Sequence, residues 1–477
     1  MGQIGYSVLS TLSFAFLGFN SYVVVTMVGY RLEESAQPLR QLLIFVEQAF
    51  TAIALMLYAG GPFNVILSDG FSQGDKQIAE PDYALTRSLF LLTYGVIVGL
   101  LFIRWKRLIW AIPHGLIIWS IVGFIGLSYL WSAMPGATLL STIRLIGTTL
   151  FGTYIATRYT PKQQLQLLGW AFGLIVALSL FYAVLLPKYG IMGGVHAGAW
   201  RGIFTHKNSL GKMMTLSSTI FMLLLLSDRK NRVVLGIFLS LSVLLLLLTT
   251  SKGALVSLII MLSVTAVCQV LRAYYRWMVI LIGSIVLFTG AITAAFILNL
   301  ETIVVEMLGK DLTLTGRTDI WRAAGDLIKM HPWLGYGYEA FWNGMDGPSA
   351  YIWRTVKWPV PDAHNGFVEL TLHLGLVGLS IFLVGYVINL IRSIVKVRTT
   401  SGVDFIWSLL YLIYVPLSNI TEQSLLKSNH IFWVIYVMVT LTLYMPIQIE
   451  SQPPRLVPSN AKLIPAVFKD SGDIQRY

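Results

Sequence analysis

The feature that most constrains this chain is a succession of unbroken apolar runs, most of them about twenty residues long. A helix needs about 17–25 apolar residues to cross roughly 30 Å of hydrocarbon. Thirteen runs reach or approach that length: 6–30, 45–67, 85–103, 108–131, 137–156, 165–186, 208–227, 233–249, 253–271, 277–298, 367–391, 404–417 and 431–449. An outer-membrane barrel would instead show alternating strands of about ten residues. The expected fold is all-α: a polytopic integral membrane protein with about 12–13 transmembrane helices.

Charge supports that reading. Only 12% of the 477 residues are charged and 56% are hydrophobic, whereas soluble domains carry about 25% charged residues. A water-soluble enzyme and a disordered chain are thereby excluded. The single cysteine, Cys268, lies inside an apolar run, which excludes an intrachain disulfide and argues against redox chemistry. The net charge of +12 does not point to nucleic acid, because Lys and Arg sit in short loops between apolar runs. With the N-terminus outside, segments 31–44, 104–107, 157–164, 228–232, 272–276, 392–403 and 450–477 are cytoplasmic. They hold 19 Lys and Arg; the opposite loops hold 12, half of them in one long loop, 299–366. Long loops weigh little in orienting a chain, so the expected topology is N-out, C-in. Run 6–30 lacks a basic leader and a small-residue cleavage site, so it reads as a retained span. Residues 1–44 form an extra helix and cytoplasmic linker, 45–449 the main membrane domain, and 450–477 a proline-bearing cytoplasmic tail.

Two outer loops stand apart. One, 187–207, contains Arg201, His206 and Lys207 just before a helix expected to start near Asn208. The other, 299–366, far exceeds an ordinary connection and is expected to be functional. Its stretch 333–358 carries Trp333, Tyr336, Tyr338, Phe341, Trp342, Tyr351, Trp353 and Trp358. Such density suits stacking on sugar faces, and suits an interfacial aromatic belt equally well.

Ionisable residues in or at the edge of a membrane are costly, which makes each a functional candidate. Arg144, Lys212, Lys252, Glu369 and His373 are such residues. Glu369 and His373 are spaced to pair on one helix face. Arg144, midway along its run, needs a carboxylate partner or an anion-accepting cavity. Arg201, the His206–Lys207–Asn208 helix start and Arg317 together suit a diphosphate, since helix N-termini and guanidinium forks both accept phosphate oxygens. Any one of these arginines alone would read as a solvated residue. His364, in Pro-Asp-Ala-His-Asn-Gly-Phe, sits where the long loop re-enters the membrane. It could serve as a general base oriented by Asp362, or as a helix cap. No HExxH, DxD, CxxC, GxxxxGK[ST], GxGxxG or GxSxG motif occurs, so neither metal nor cofactor is expected.

These residues resemble a known family. His364-Asn365, nine residues, then Gly375-Leu376-Val377-Gly378 is similar to the H-N-x9-G-x-x-G signature of the O-antigen ligase and O-antigen polymerase superfamily. Four further segments resemble it in order: Trp131–Pro135 before Thr138, Arg201-Gly202 through Asn208, Gly316-Arg317-Thr318 before Trp321, and His331–Gly337. The likeness runs from about 45 to 445 and is nearest in wording to exopolysaccharide polymerases of the succinoglycan type. It implies a glycosyltransferase-C-like, metal-independent, inverting enzyme of the bacterial cytoplasmic membrane, its active site facing the periplasm. The donor would be an undecaprenyl-diphosphate-linked glycan and the acceptor a second glycan, with a flippase and chain-length regulators as partners. By motif match, Arg201 and Arg317 would hold the diphosphate and His364 would activate the acceptor. Arg144, His206, Lys207, Asn208, Asn365, Glu369, Trp333 and Tyr336 would line the substrate site. A ligase delivering finished glycan to lipid A core or protein uses the same residues. A transporter of an anion or lipid-linked sugar is the reading from another class.

Overall fold

Most of the apolar runs become helices whose ends are set by local chemistry. The computed structural model describes residues 37–70, 83–270, 316–400 and 403–444, together with positions 274, 276–277 and 279–284. The expected span 6–30, most of 277–298 and the tail 450–477 lie outside the described residues. The principal helices are α1 (Gln37–Tyr58), α2 (Ala84–Ile103), α3 (Trp105–His114), α4 (Leu116–Leu127), α5 (Pro135–Arg158), α6 (Pro161–Leu185) and α7 (Lys207–Ser227). Then follow α8 (Arg232–Leu248), α9 (Lys252–Val270), α10 (Gly316–Met330), α11 (Ala350–Val356), α12 (Gly366–Thr399), α13 (Asp404–Thr421) and α14 (Ile431–Tyr444). Among the described residues the only β feature is an isolated bridge between Ile191 and Trp200. The protein is an all-helical, multi-pass membrane protein. Seven described helices are long and apolar enough to cross a bilayer, eight if the bent pair α3–α4 is one span, and α8, α13 and α14 are shorter apolar helices.

Starts follow capping rules. Proline opens α5 and α6, where its missing N–H costs nothing. Thr160 and Gln163 close a reciprocal capping box at α6. The Asn365 amide oxygen accepts the Phe367 and Val368 N–H groups at the head of α12.

Three expected spans differ in shape. The run 45–67 ends as a helix at Tyr58, because Gly60 and Gly61 adopt positive φ and turn the chain. The run 108–131 is not one straight span: α3 and α4 meet at 88°, with Pro113 and Gly115 at the corner. The run 367–391 lies inside a 34-residue helix, α12, interrupted at Gly375.

Close helix contacts rest on small residues, as expected where lipid supplies no hydrophobic drive between helices. A Cβ at Gly152 of α5 would lie 2.7–2.9 Å from Val437 and the Val434 carbonyl of α14. At the end away from the long loop, the buried Glu47 carboxylate ties three elements together. It takes Arg104 at 2.8 Å, Arg158 at 3.0 Å and the Tyr154 hydroxyl at 2.9 Å. The long loop, where described, forms its own apolar core: Ile320, Leu327, Phe341, Ile352 and Val360 pack with Leu372 of α12.

Candidate functional site

The site is assembled on the break in α12. Gly375 has φ +63°, ψ −168°, a conformation essentially reserved for glycine. It frees peptide groups inside an apolar bundle, where only protein can satisfy them. The 331–337 segment does so. Tyr336 and Gly337 N–H groups donate to the Leu372 and His373 carbonyls at 2.9 Å. Leu376 and Val377 N–H groups donate to the Pro332 and Trp333 carbonyls at 2.8 and 3.1 Å. The Trp131–Thr138 segment clasps the same hairpin from behind. Trp131 Nε1 donates to the Leu334 carbonyl at 3.0 Å, the Ala133 N–H to the Tyr336 carbonyl at 2.8 Å, and Thr138 to the Tyr338 carbonyl at 2.8 Å.

Beside this joint, the entry to α12 is held from two sides. Trp321 of α10 donates to the Ala363 carbonyl at 2.8 Å, and the Ala363 N–H donates to the buried Glu369 at 3.0 Å. His364 follows, with a positive φ of 49°. Its N–H donates to Asp362 at 2.8 Å, and its Nδ1 lies 3.3 Å from the same carboxylate oxygen without forming a well-aligned hydrogen bond.

A charged cluster lies at this end of the bundle. Glu422, just past α13, receives Asn208 Nδ2 at 2.7 Å and Arg317 NH2 at 3.3 Å on one oxygen, Oε1. Burial raises the Glu422 carboxyl, but Lys212, Arg317 and His364 outweigh it and hold it below the usual carboxylate value. His206 caps α7, its Nδ1 accepting the Asn208 N–H at 3.2 Å. Burial, with His196, Lys207 and His364 nearby, pushes its imidazole down to about 4 against the pull of Glu422. His430, before α14, is likewise pushed well down by burial and by Lys427 and Lys212.

The structure brings Arg317, His206, Asn208 and His364 into this cluster and places the other expected residues differently. Arg201 is 0% exposed, its guanidinium donating to the Tyr189, Gly70 and Lys188 carbonyls at 2.7–3.1 Å. Lys207 Nζ reaches Thr250 at 3.3 Å. Asn365 is a helix cap that also donates to the Ile420 carbonyl. Glu369 lies 3.3 Å from His373 Nε2, besides holding the 362–364 turn. Tyr336 is buried, its hydroxyl on the Leu327 carbonyl and its ring against His331. Trp333 stands 66% exposed. Arg144 is exposed nine residues into α5, about 13.5 Å along its axis. No carboxylate among the described residues pairs with it.

Sequence reasoning missed Glu422 and did not assign Lys212, Lys427 or His430 to the site. The available signal was a polar interval, 418–430, between two apolar runs. The loop's fold is set by Asn419, whose Oδ1 accepts the Ser424 and Leu425 N–H groups at 2.8 and 3.0 Å.

Fold and site together define a multi-pass membrane protein whose ionisable groups gather beside a broken helix. Residues 237–383 match the family model described as O-antigen ligase, a segment that holds Arg317, the 331–337 hairpin, His364 and Gly375. The chain is also 22% identical over 306 residues to the exopolysaccharide production protein ExoQ of Rhizobium meliloti (strain 1021), covering 61% of this chain and 67% of that protein. Over that segment the chain is similar to O-antigen ligases, and over a longer stretch to a protein of exopolysaccharide production.

Two consequences can be measured. At Gly375 a Cβ would overlap the Trp333 carbonyl, and the backbone conformation alone costs a side chain about 1–3 kcal/mol. Gly375→Ala should lower the thermal unfolding temperature and open the 331–337 segment to proteolysis; a variant as stable as wild type would show that the break does not need glycine. His206 is the second case. Its folded value lies below the unfolded one of about 6.5, so the unfolded chain binds the extra proton first. Its contribution to stability is complete above about 6.5 and is lost as pH falls towards 4. Thermal unfolding against pH should show that loss, and His206→Asn, which keeps a capping side chain, should flatten it.

Proposed function

We propose that this protein is a membrane glycosyltransferase that joins undecaprenyl-diphosphate-linked oligosaccharide repeats into exopolysaccharide, capsule or O-antigen. It acts on the outer face of the bacterial cytoplasmic membrane, by an inverting transfer that needs no metal. The observation that carries this reading is the gathering of His364, Arg317, Asn208 and Lys212 around one carboxylate at the mouth of the broken helix. The family match and the printed name of the relative support a polysaccharide substrate.

The chemistry divides between two groups. A lipid diphosphate leaves readily once its developing charge is neutralised, and fixed cations such as Arg317 and Lys212 can do this. The acceptor hydroxyl attacks the anomeric carbon from the face opposite the diphosphate, which inverts that centre. His364 accepts the hydroxyl proton, with Nδ1 turned towards Asp362 and Nε2 left to receive it. Glu369 positions this turn through the Ala363 N–H. Arg201, whose guanidinium is spent on carbonyls, supports the loop that presents His206 and Asn208 rather than the diphosphate. Arg144 and Trp333, both exposed, are left to meet the lipid-linked glycan. A flippase would supply the donor, and a chain-length regulator would act on the product.

A second reading is a ligase that delivers finished glycan to lipid A core or protein, favoured by the description of the matching family model. Purified protein in liposomes with lipid-linked repeats distinguishes them. Laddered lipid-linked products mean a polymerase, single transfer to a non-polyprenyl acceptor a ligase, and movement without a new bond a transporter.

In that assay His364→Ala should lower the rate by about 10²–10⁴ while still binding donor; a loss under about tenfold would make His364 a structural turn residue. Arg317→Ala should abolish transfer, and Arg317→Lys should recover little of it because the fork is lost. Transfer should survive excess EDTA, and loss restored by Mg²⁺ or Mn²⁺ would overturn the metal-independent scheme.

A further inference from the structure

The acid group at the centre of the cluster is the unexpected one. A site meant to receive an anion holds a carboxylate, and its Oε1 takes both Asn208 Nδ2 at 2.7 Å and Arg317 NH2 at 3.3 Å. Asn208 lies in the first turn of α7, whose partial positive charge also favours an anion there. Two donors converging on one oxygen at a helix start is the arrangement a phosphate oxygen would want. Glu422 is not sealed in: its side chain is 19% exposed and that of Arg317 31%. Its backbone is anchored on both sides, by α13 before it and by the Asn419 bonds to Ser424 and Leu425 after it. The carboxylate can therefore leave by side-chain rotation alone, while the loop stays in place. Lys212 also acts electrostatically on Glu422.

We propose that Glu422 is a built-in occupant of the diphosphate seat, holding Arg317 and Asn208 in receiving geometry until a diphosphate displaces it. This inference rests on the reading that Arg317 and Asn208 bind the donor's diphosphate. It makes the empty seat self-neutralised and puts the carboxylate in direct competition with the ligand. The competition favours diphosphates, which offer more charge and more acceptor oxygens than one carboxylate, over singly charged anions.

The test is binding of inorganic pyrophosphate to the purified full-length protein in detergent, followed by calorimetry, for wild type, Glu422→Gln, Glu422→Asp and Arg317→Ala. Removing the competing charge should tighten pyrophosphate binding in Glu422→Gln by on the order of tenfold, the difference between a charge-assisted and a neutral hydrogen bond. Glu422→Asp keeps the charge but shortens the reach, and should fall between Gln and wild type. It serves as the second variant if Gln does not fold. Arg317→Ala should lose binding. If Arg317→Ala loses binding but both Glu422 variants bind no tighter than wild type, Glu422 merely braces Arg317 and this inference is overturned. If Arg317→Ala binds as wild type does, the diphosphate is not held here and the functional reading itself fails.

Discussion

A peptide group freed inside a membrane bundle has no water to turn to, and the structure is organised around meeting that demand at Gly375. The break frees carbonyls at Leu372 and His373 and N–H groups at Leu376 and Val377, and the 331–337 hairpin answers all four. Once docked, the hairpin fixes the Trp131–Thr138 segment behind it. The same helix carries Glu369, which holds the 362–364 turn through the Ala363 N–H. The position of His364 thus descends from a hydrogen-bond requirement several residues away.

The two ends of the bundle treat their carboxylates differently. Glu47 is enclosed by Arg104, Arg158 and Tyr154, all in short contacts, and its side chain is 4% exposed. Removing one partner of such a pair leaves an uncompensated buried charge, so it acts as a fixed clamp. Glu422 has fewer direct partners, more exposure and several cations nearby. The first arrangement fastens helices. The second leaves a partly exposed carboxylate among several cations.

Much of this was legible in the sequence, for reasons particular residues make plain. The apolar runs marked helices because crossing hydrocarbon demands continuous apolar length, and Pro135, Pro161 and Asn365 marked their starts. The bend between α3 and α4 had a written cause in Pro113 and Gly115, yet the apolar pattern runs straight through it and hid the corner. The five motif segments were visible, but not that main-chain hydrogen bonds and the Arg317–Glu422–Asn208 contacts link them. The aromatic stretch suited sugar stacking and an interfacial belt equally; in the fold Tyr336 and Phe341 build the loop's own core, and only the arrangement of α10 and α11 reveals that. Arg201 shows the same limit, since spacing does not reveal the Tyr189, Gly70 and Lys188 carbonyls that its guanidinium meets. Glu422 was missed because a lone carboxylate between two apolar runs matches no motif; only Asn208, 214 positions away, gives it meaning.

The joint at Gly375 is built from main-chain atoms, and that has a consequence for how such a chain can diversify. The four hydrogen bonds between 332–337 and 372–377 depend on peptide groups and on glycines at 335, 337 and 375. They are indifferent to the side chains at 333, 334 and 376, all of which point out of the packed interior. Those positions can change size, polarity or aromatic character while the frame beneath them stays in register. A scaffold of this kind separates the main-chain joint, which depends on its glycines, from a surrounding surface whose side chains that joint does not constrain.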